Sequence, residues 1–227
     1  MRKNGQVRII GGRWRSRRLR CAAVHGLRPS PDALRETLFN WLAARLPGAA
    51  CLDLFAGSGA LGFEAASRGA AHVALVESHP RAVAALRANR AALQAEGQVD
   101  IFPGRAMRFL RGGDGDGNGG DGDGRDGDGR GDPGESNQTG RARNQTGDES
   151  GESNDAPGRR FDIIFLDPPF AAPGLLAAAC KNLRPHLNPR ALIYIESPPA
   201  AALPLAADWR IIRRTRRGAA QSTLIQT

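Results

Sequence analysis

The chain has 227 residues, 24% charged and 41% hydrophobic, with a net charge of +9, which is enough material for a sizeable core. No run of 18 apolar residues occurs and the basic N-terminus lacks an apolar signal region, so neither a membrane span nor an export signal is expected. Cys21, Cys51 and Cys180 show no CxxC spacing, which speaks against a disulfide framework or a zinc site. A metal-free, cytoplasmic protein is expected.

Val7–Ile10 and Arg13–Leu19 read as two short strands around a Gly11-Gly12 turn, within a basic extension over residues 1–26. Residues 27–227 read as one α/β domain. Ser30-Pro31 opens a helix whose apolar face is Leu34, Leu38, Trp41, Leu42 and Leu46, and Pro47-Gly48 stops it. A buried strand at 50–55, a glycine turn and a helix to Arg68 follow. The next strand covers 73–76, with Ser78 and Pro80 capping a helix to Ala95. A third strand covers 99–102, and a short helix 106–110.

Between Gly112 and Gly158 the pattern stops. Those 47 residues hold 16 glycines, two hydrophobic residues (Ala142 and Ala156), 12 acids and 4 arginines. Such a segment has no core to bury and reads as a disordered Gly/Asp-rich insertion over 112–158. Asp114-x-Asp116-x-Asn118-Gly119 opens like a calcium loop, but its twelfth position is Arg125 and it has no flanking helices. The segment carries −8, so the other 180 residues carry +17. A polyanion, most simply nucleic acid, is the expected partner. Beyond the insertion, 161–166 is a fourth strand, 175–187 a helix and 191–195 a fifth strand. Weaker strands at 209–215 and 222–226 finish the chain. The alternation implies a doubly wound, mostly parallel sheet with an antiparallel edge.

Two constellations carry chemistry. The first is Asp53-Leu-Phe55-Ala-Gly57-Ser-Gly59-Ala-Leu-Gly62, where glycines between strand and helix permit a tight turn and close approach of a ligand. Glu77, ending the next strand, is placed to accept ribose hydroxyls. A nicotinamide dinucleotide and S-adenosylmethionine both present such an adenosine. Asp53 favours the second, because a carboxylate repels a pyrophosphate and suits a sulfonium with an ammonium group. Alternatively, Asp53 bonds the N–H groups of the turn itself.

The second constellation is Asp167-Pro168-Pro169-Phe170, directly after the fourth strand. The prolines leave a rigid turn with a carboxylate and a carbonyl that cannot re-enter a ladder. Those two acceptors can hold both hydrogens of an exocyclic amine and aim its lone pair at a methyl group, with Phe170 as a stacking plane for the base. In residues 1–20, eight basic side chains and no acid surround Trp14, which suits phosphate contact with stacking through Arg13, Trp14, Arg15, Arg17 and Arg18. Arg210, Arg213, Arg214, Arg216 and Arg217 form a second basic cluster. A target amine inside a duplex is hidden, so the base must be unpaired or flipped out.

These motifs, with Arg8-Ile-Ile-Gly-Gly-Arg-Trp14, Leu27-Arg-Pro-Ser30 and Arg35-Glu-Thr-Leu-Phe-Asn-Trp-Leu42, resemble the bacterial 16S rRNA guanine(966)-N2-methyltransferase family. The resemblance implies a monomeric Rossmann-like enzyme with a seven-stranded sheet and an N-terminal basic β-hairpin. It implies transfer of a methyl group from S-adenosylmethionine to guanine N2 of 16S ribosomal RNA, free or in the assembling small subunit. It puts the cofactor against Asp53, Phe55, Gly57, Gly59 and Glu77, and places the adenine-contacting turn at Gly104-Arg105-Ala106. Arg28, Ser30 and Arg35 correspond to the segment folding over the cofactor side, and Arg28 joins the expected RNA contacts. Asp167, Pro168, Pro169 and Phe170 correspond to the catalytic turn. Two departures are the insertion and Gly218–Gln226, which matches the usual final strand poorly. An adenine-N6 DNA methyltransferase, a dehydrogenase and a non-catalytic assembly factor are the competing expectations.

Overall fold

In chain order the elements are β1 (Gln6–Arg8), β2 (Arg18–Arg20), α1 (Asp32–Leu42), β3 (Ala50–Asp53), α2 (Ala60–Ser67), β4 (His72–Glu77), α3 (Pro80–Leu93), β5 (Val99–Pro103), α4 (Ala106–Leu110), β6 (Phe161–Leu166), α5 (Pro173–Asn182), β7 (Leu187–Ser197), β8 (Arg210–Arg217) and β9 (Ala220–Gln226). They come from a computed structural model that describes residues 5–22, 32–112, 159–169 and 172–227. The insertion from residue 113, Arg28, Ser30-Pro31 and Phe170 lie outside the described residues.

Strands β3 to β6 are apolar and buried at nearly every position, as a parallel sheet covered on both faces requires. The seven-stranded sheet runs β5-β4-β3-β6-β7-β9-β8, parallel from β5 to β7, with β9 antiparallel to both its neighbours. The C-terminal strand, a poor match in sequence, is therefore fully paired between β7 and β8. One face packs Leu38, Phe39, Phe63, Phe165 and Tyr194; the other packs Phe102, Phe109, Leu176, Leu183 and Ile193. Strand order reverses at β3 and β6, where side-by-side strands leave toward opposite sides. A doubly wound sheet opens its ligand crevice at the carboxyl ends of the strands at such a point.

Three local expectations need correction. Gly11-Gly12 is not a two-residue hairpin turn: β1 and β2 pair antiparallel with Val7 opposite Leu19, leaving residues 9–17 as a longer loop. That loop presses onto α2. A Cβ on Gly12, which has φ +76°, would lie 1.9 Å from the Ser67 carbonyl oxygen, so glycine serves close approach there. The helix α3 is capped by His79, whose ring Nδ1 accepts from the Arg81 N–H, and not by Ser78. The helix α5 stops at Asn182, five residues early, because Pro185 follows; a 3₁₀ turn over Arg184–His186 then leads straight into β7.

Candidate active site

The carboxyl ends of β4, β3, β6 and β7 bring Glu77, Asp53, Asp167 and Glu196 to one edge of the sheet. After β3 the chain turns through Gly57 (φ +53°) and Gly59 (φ +76°), a left-handed backbone that disfavours side chains. Gly59 caps α2, and its N–H bonds the Ala56 carbonyl at 2.7 Å. Gly62 brings α2 onto the sheet: a Cβ there would lie 2.1 Å from Leu75 Cδ2. The glycines thus make the tight turn that the sequence implied.

Asp53 is buried beneath this turn, and its Oδ2 accepts from the Gly62 N–H at 3.1 Å. Burial pushes its carboxyl up to about 7; the Gly62 and Phe55 N–H groups oppose the rise and Glu77 adds to it. Glu77 takes the Gly57 N–H on Oε2 at 2.8 Å and the His79 N–H on Oε1 at 2.7 Å. Its carbonyl accepts from Gly104, whose φ of +148° starts the turn into Arg105 and Ala106. Glu77 thus joins the β3 glycine turn, with Asp53, Phe55, Gly57 and Gly59, to the Gly104–Ala106 turn at one end of the sheet. Asp167 follows β6 directly and is half-buried, Pro168 is buried and Pro169 exposed. Next to it, Tyr194, Glu196 and Ser222 form a buried polar array that the sequence reading missed.

The basic arm is organised differently from the expectation. Trp14 is buried, its backbone N–H donating to Ser67 Oγ at 2.9 Å and the Arg13 guanidinium covering its ring at 4.1 Å. An apolar indole gains more from the core than from water, so Trp14 anchors the arm and is not open to stack on a base. Arg13, Arg15, Arg17 and Arg18 remain exposed, bonding at most Gln98, the Ala92 carbonyl and Gln6. Arg35, expected over the cofactor side, is instead a core residue, bonding Asp32 at 2.6 Å and the Arg8 carbonyl at 2.8 Å. Its partner Glu64, unflagged by the sequence, is fully buried and clamps the arm through the Ile10 and Gly11 N–H groups. The five arginines of β8 are exposed, and none pairs with an acid among the described residues.

A doubly wound sheet in this strand order, with a glycine turn after its first central strand and an acid-Pro-Pro turn after the neighbouring one, defines the class of Rossmann-like methyltransferases. Comparison with known proteins narrows the class. The profile of the family described as Conserved hypothetical protein 95 matches residues 7–116 and 135–226, breaking within the Gly/Asp-rich segment, and the chain belongs to that family. It is 37% identical over 226 residues to Ribosomal RNA small subunit methyltransferase D of Escherichia coli, covering 98% of this chain and 91% of that protein. To the Haemophilus influenzae protein of the same name it is 31% identical over 226 residues, covering 98% and 94%. Among solved structures, the yhhF protein of Escherichia coli matches with a TM-score of 0.70 at 36% identity over 98% of each chain. The arrangement of β1–β9 is thus a family fold.

Proposed function

We propose that this chain transfers a methyl group from S-adenosylmethionine to the exocyclic N2 amine of a guanine in small-subunit ribosomal RNA. The observation that carries this reading is the Asp167-Pro168-Pro169 turn at the carboxyl end of β6, directly beside the glycine turn of β3. The names of the relatives with 37% and 31% identity supply the RNA class.

The donor set fits the cofactor. Glu77 and Asp53 end adjacent strands with carboxylates, which suit a cationic cofactor and a ribose and would repel a pyrophosphate. Glu77, held by the Gly57 and His79 N–H groups, would hold the ribose, and the Gly104–Ala106 turn beside it the adenine. When bound, S-adenosylmethionine supplies an electrophilic methyl group. Asp53 braces the crevice from below through Gly62. Asp167 and the Pro168 carbonyl each accept one hydrogen of the amine, which turns its lone pair out of conjugation and toward the methyl. Phe170, next in sequence, would stack on the base. Catalysis then rests on positioning and needs no covalent intermediate.

The exposed arginines 13, 15, 17 and 18, with those of β8, would contact phosphates; Arg28 belongs to the same set by resemblance. A single copy acting in the cytoplasm completes the reading. Mass spectrometry of nucleosides from small-subunit RNA treated with the protein and labelled cofactor tests it. N2-methylguanosine is expected, and labelled N6-methyladenosine would overturn it.

A further inference from the structure

One residue past the last pairing of β6 with β7 sits a buried carboxylate that the mechanism above does not use. Leu166 pairs with Ile195, so Asp167, the first residue past β6, and Glu196 of β7 come next, about 5 Å apart across the sheet. Glu196 shares the parity of Tyr194, which pairs with Phe165, and so lies on that sheet face, while the Asp167 charge bears on the Tyr194 hydroxyl from the end of β6. On its other side Glu196 is paired with Ser222 of β9. The Tyr194 hydroxyl donates to Glu196 Oε2 at 3.2 Å and meets Ser222 Oγ at 2.8 Å. Burial chiefly, then Glu196, with a further contribution from Asp167, holds the Tyr194 phenol well above its ordinary range, so it remains a donor. Ser222, Tyr194 and Glu196 thus form a hydrogen-bonded chain that fixes the Glu196 head group.

We propose that Glu196 reads the target base: it accepts the ring N1–H of guanine while Asp167 accepts a hydrogen of the adjacent N2 amine, and Tyr194 is the positioning residue that orients Glu196. This inference rests on the amine-methylating reading of the Asp167 turn. Its basis is the order of donors on each base. Guanine alone has a ring N–H beside its exocyclic amine; adenine presents the N1 lone pair beside N6, and cytosine the N3 lone pair beside N4. Two neighbouring acceptors match guanine's two neighbouring donors. They set a carboxylate against a lone pair in the other two bases, which a buried site penalises heavily.

The test uses 16S RNA in which 2-aminopurine replaces the target guanosine. That base keeps the N2 amine but has a lone pair at N1. The measured quantity is kcat/KM for guanine over that for 2-aminopurine, compared between variants so that the intrinsic reactivity of each amine cancels. In Glu196→Gln the amide N–H can face N1, and the ratio should fall on the order of 10- to 100-fold, with cofactor affinity unchanged. Tyr194→Phe, which keeps the ring in the core, should lower the ratio several-fold and raise KM more than it lowers kcat. If Glu196→Gln does not fold, Tyr194→Phe decides alone. Unchanged ratios with normal guanine methylation by the wild type would overturn the role of Glu196 only. Failure of the wild type to methylate guanine would overturn the methyl-transfer reading and this inference with it.

Discussion

Replacing Glu64 by alanine should cost more stability than any single truncation in the catalytic turn. Glu64 is fully buried in α2 and accepts from the Ile10 N–H at 2.7 Å, the Gly11 N–H at 2.8 Å and Arg68 Nε at 2.7 Å, with Arg35 NH1 at 3.8 Å. Arg35 is itself only 1% exposed. Removing one partner of a buried pair costs about 3–5 kcal/mol where the other charge is left uncompensated, and since Arg35 keeps Asp32 at 2.6 Å the lower end applies here. Each orphaned backbone N–H adds about 1–3 kcal/mol wherever water cannot reach it. Against a total of about 5–15 kcal/mol, a loss of at least about 3 kcal/mol brings the domain near its limit. In urea the midpoint should drop by about 1–2 M. Glu64→Gln should lose less, since its amide oxygen still accepts from one N–H. The double variant Arg35→Met/Glu64→Leu should lose less than the two single changes together, because no lone charge is left behind. A loss below about 1 kcal/mol for Glu64→Ala, or strict additivity in the cycle, would refute the clamp.

Changing Arg13, Arg15, Arg17 and Arg18 to alanine should weaken RNA binding and reduce the salt slope by roughly 0.7–0.9 per lost phosphate contact, while calorimetry shows cofactor affinity intact. Gly62→Ala should cost about 1–3 kcal/mol in thermal unfolding, because its Cβ would meet Leu75 Cδ2 at 2.1 Å. With the Asp53 carboxyl raised to about 7, the folded protein keeps a proton that the unfolded chain has released above about pH 4. Its contribution is therefore fully present below about pH 4 and is lost as the pH rises from there through about 7, and Asp53→Asn should flatten that slope in unfolding titrations.

What could be read from the sequence was what is decided locally. The β3–glycine–α2 unit, Glu77 at the end of β4 and the Asp167 turn after β6 each follow from a few consecutive residues whose backbone needs leave little choice. The arm was misread because Gly11-Gly12 resembles a hairpin turn in isolation; the actual loop depends on Ser67 and Glu64, more than 50 residues away. The core role of Arg35, expected over the cofactor side, is hidden in the sequence for the same reason, since its buried partner Glu64 lies on another helix. Tyr194 reads as an ordinary strand residue and Glu196 falls just past the expected strand until β7 is placed between β6 and β9. An acid alternating with apolar residues gives no local sign that its face is buried; Glu64 gave none on its helix either. β7 is longer than the sequence implies because Asn188, Pro189 and Arg190, with low strand propensity, are carried as an irregular stretch between the Phe161–Leu187 and Ile163–Leu192 pairs and held by the Asn188–Asp162 bond at 2.8 Å.

The measurement that bears most directly on the methyl-transfer account is single-turnover methylation of small-subunit ribosomal RNA by Asp167→Ala and Asp167→Asn, with cofactor binding followed in parallel. Removing one preorganised polar group at a reacting centre typically costs on the order of 10²–10³ in rate. Asp167→Ala should lose that much, and Asp167→Asn less, because its amide oxygen still accepts one hydrogen of the amine. Affinity for S-adenosylmethionine should stay unchanged in both, since the contact is to the base. Wild-type turnover by Asp167→Ala would contradict the account.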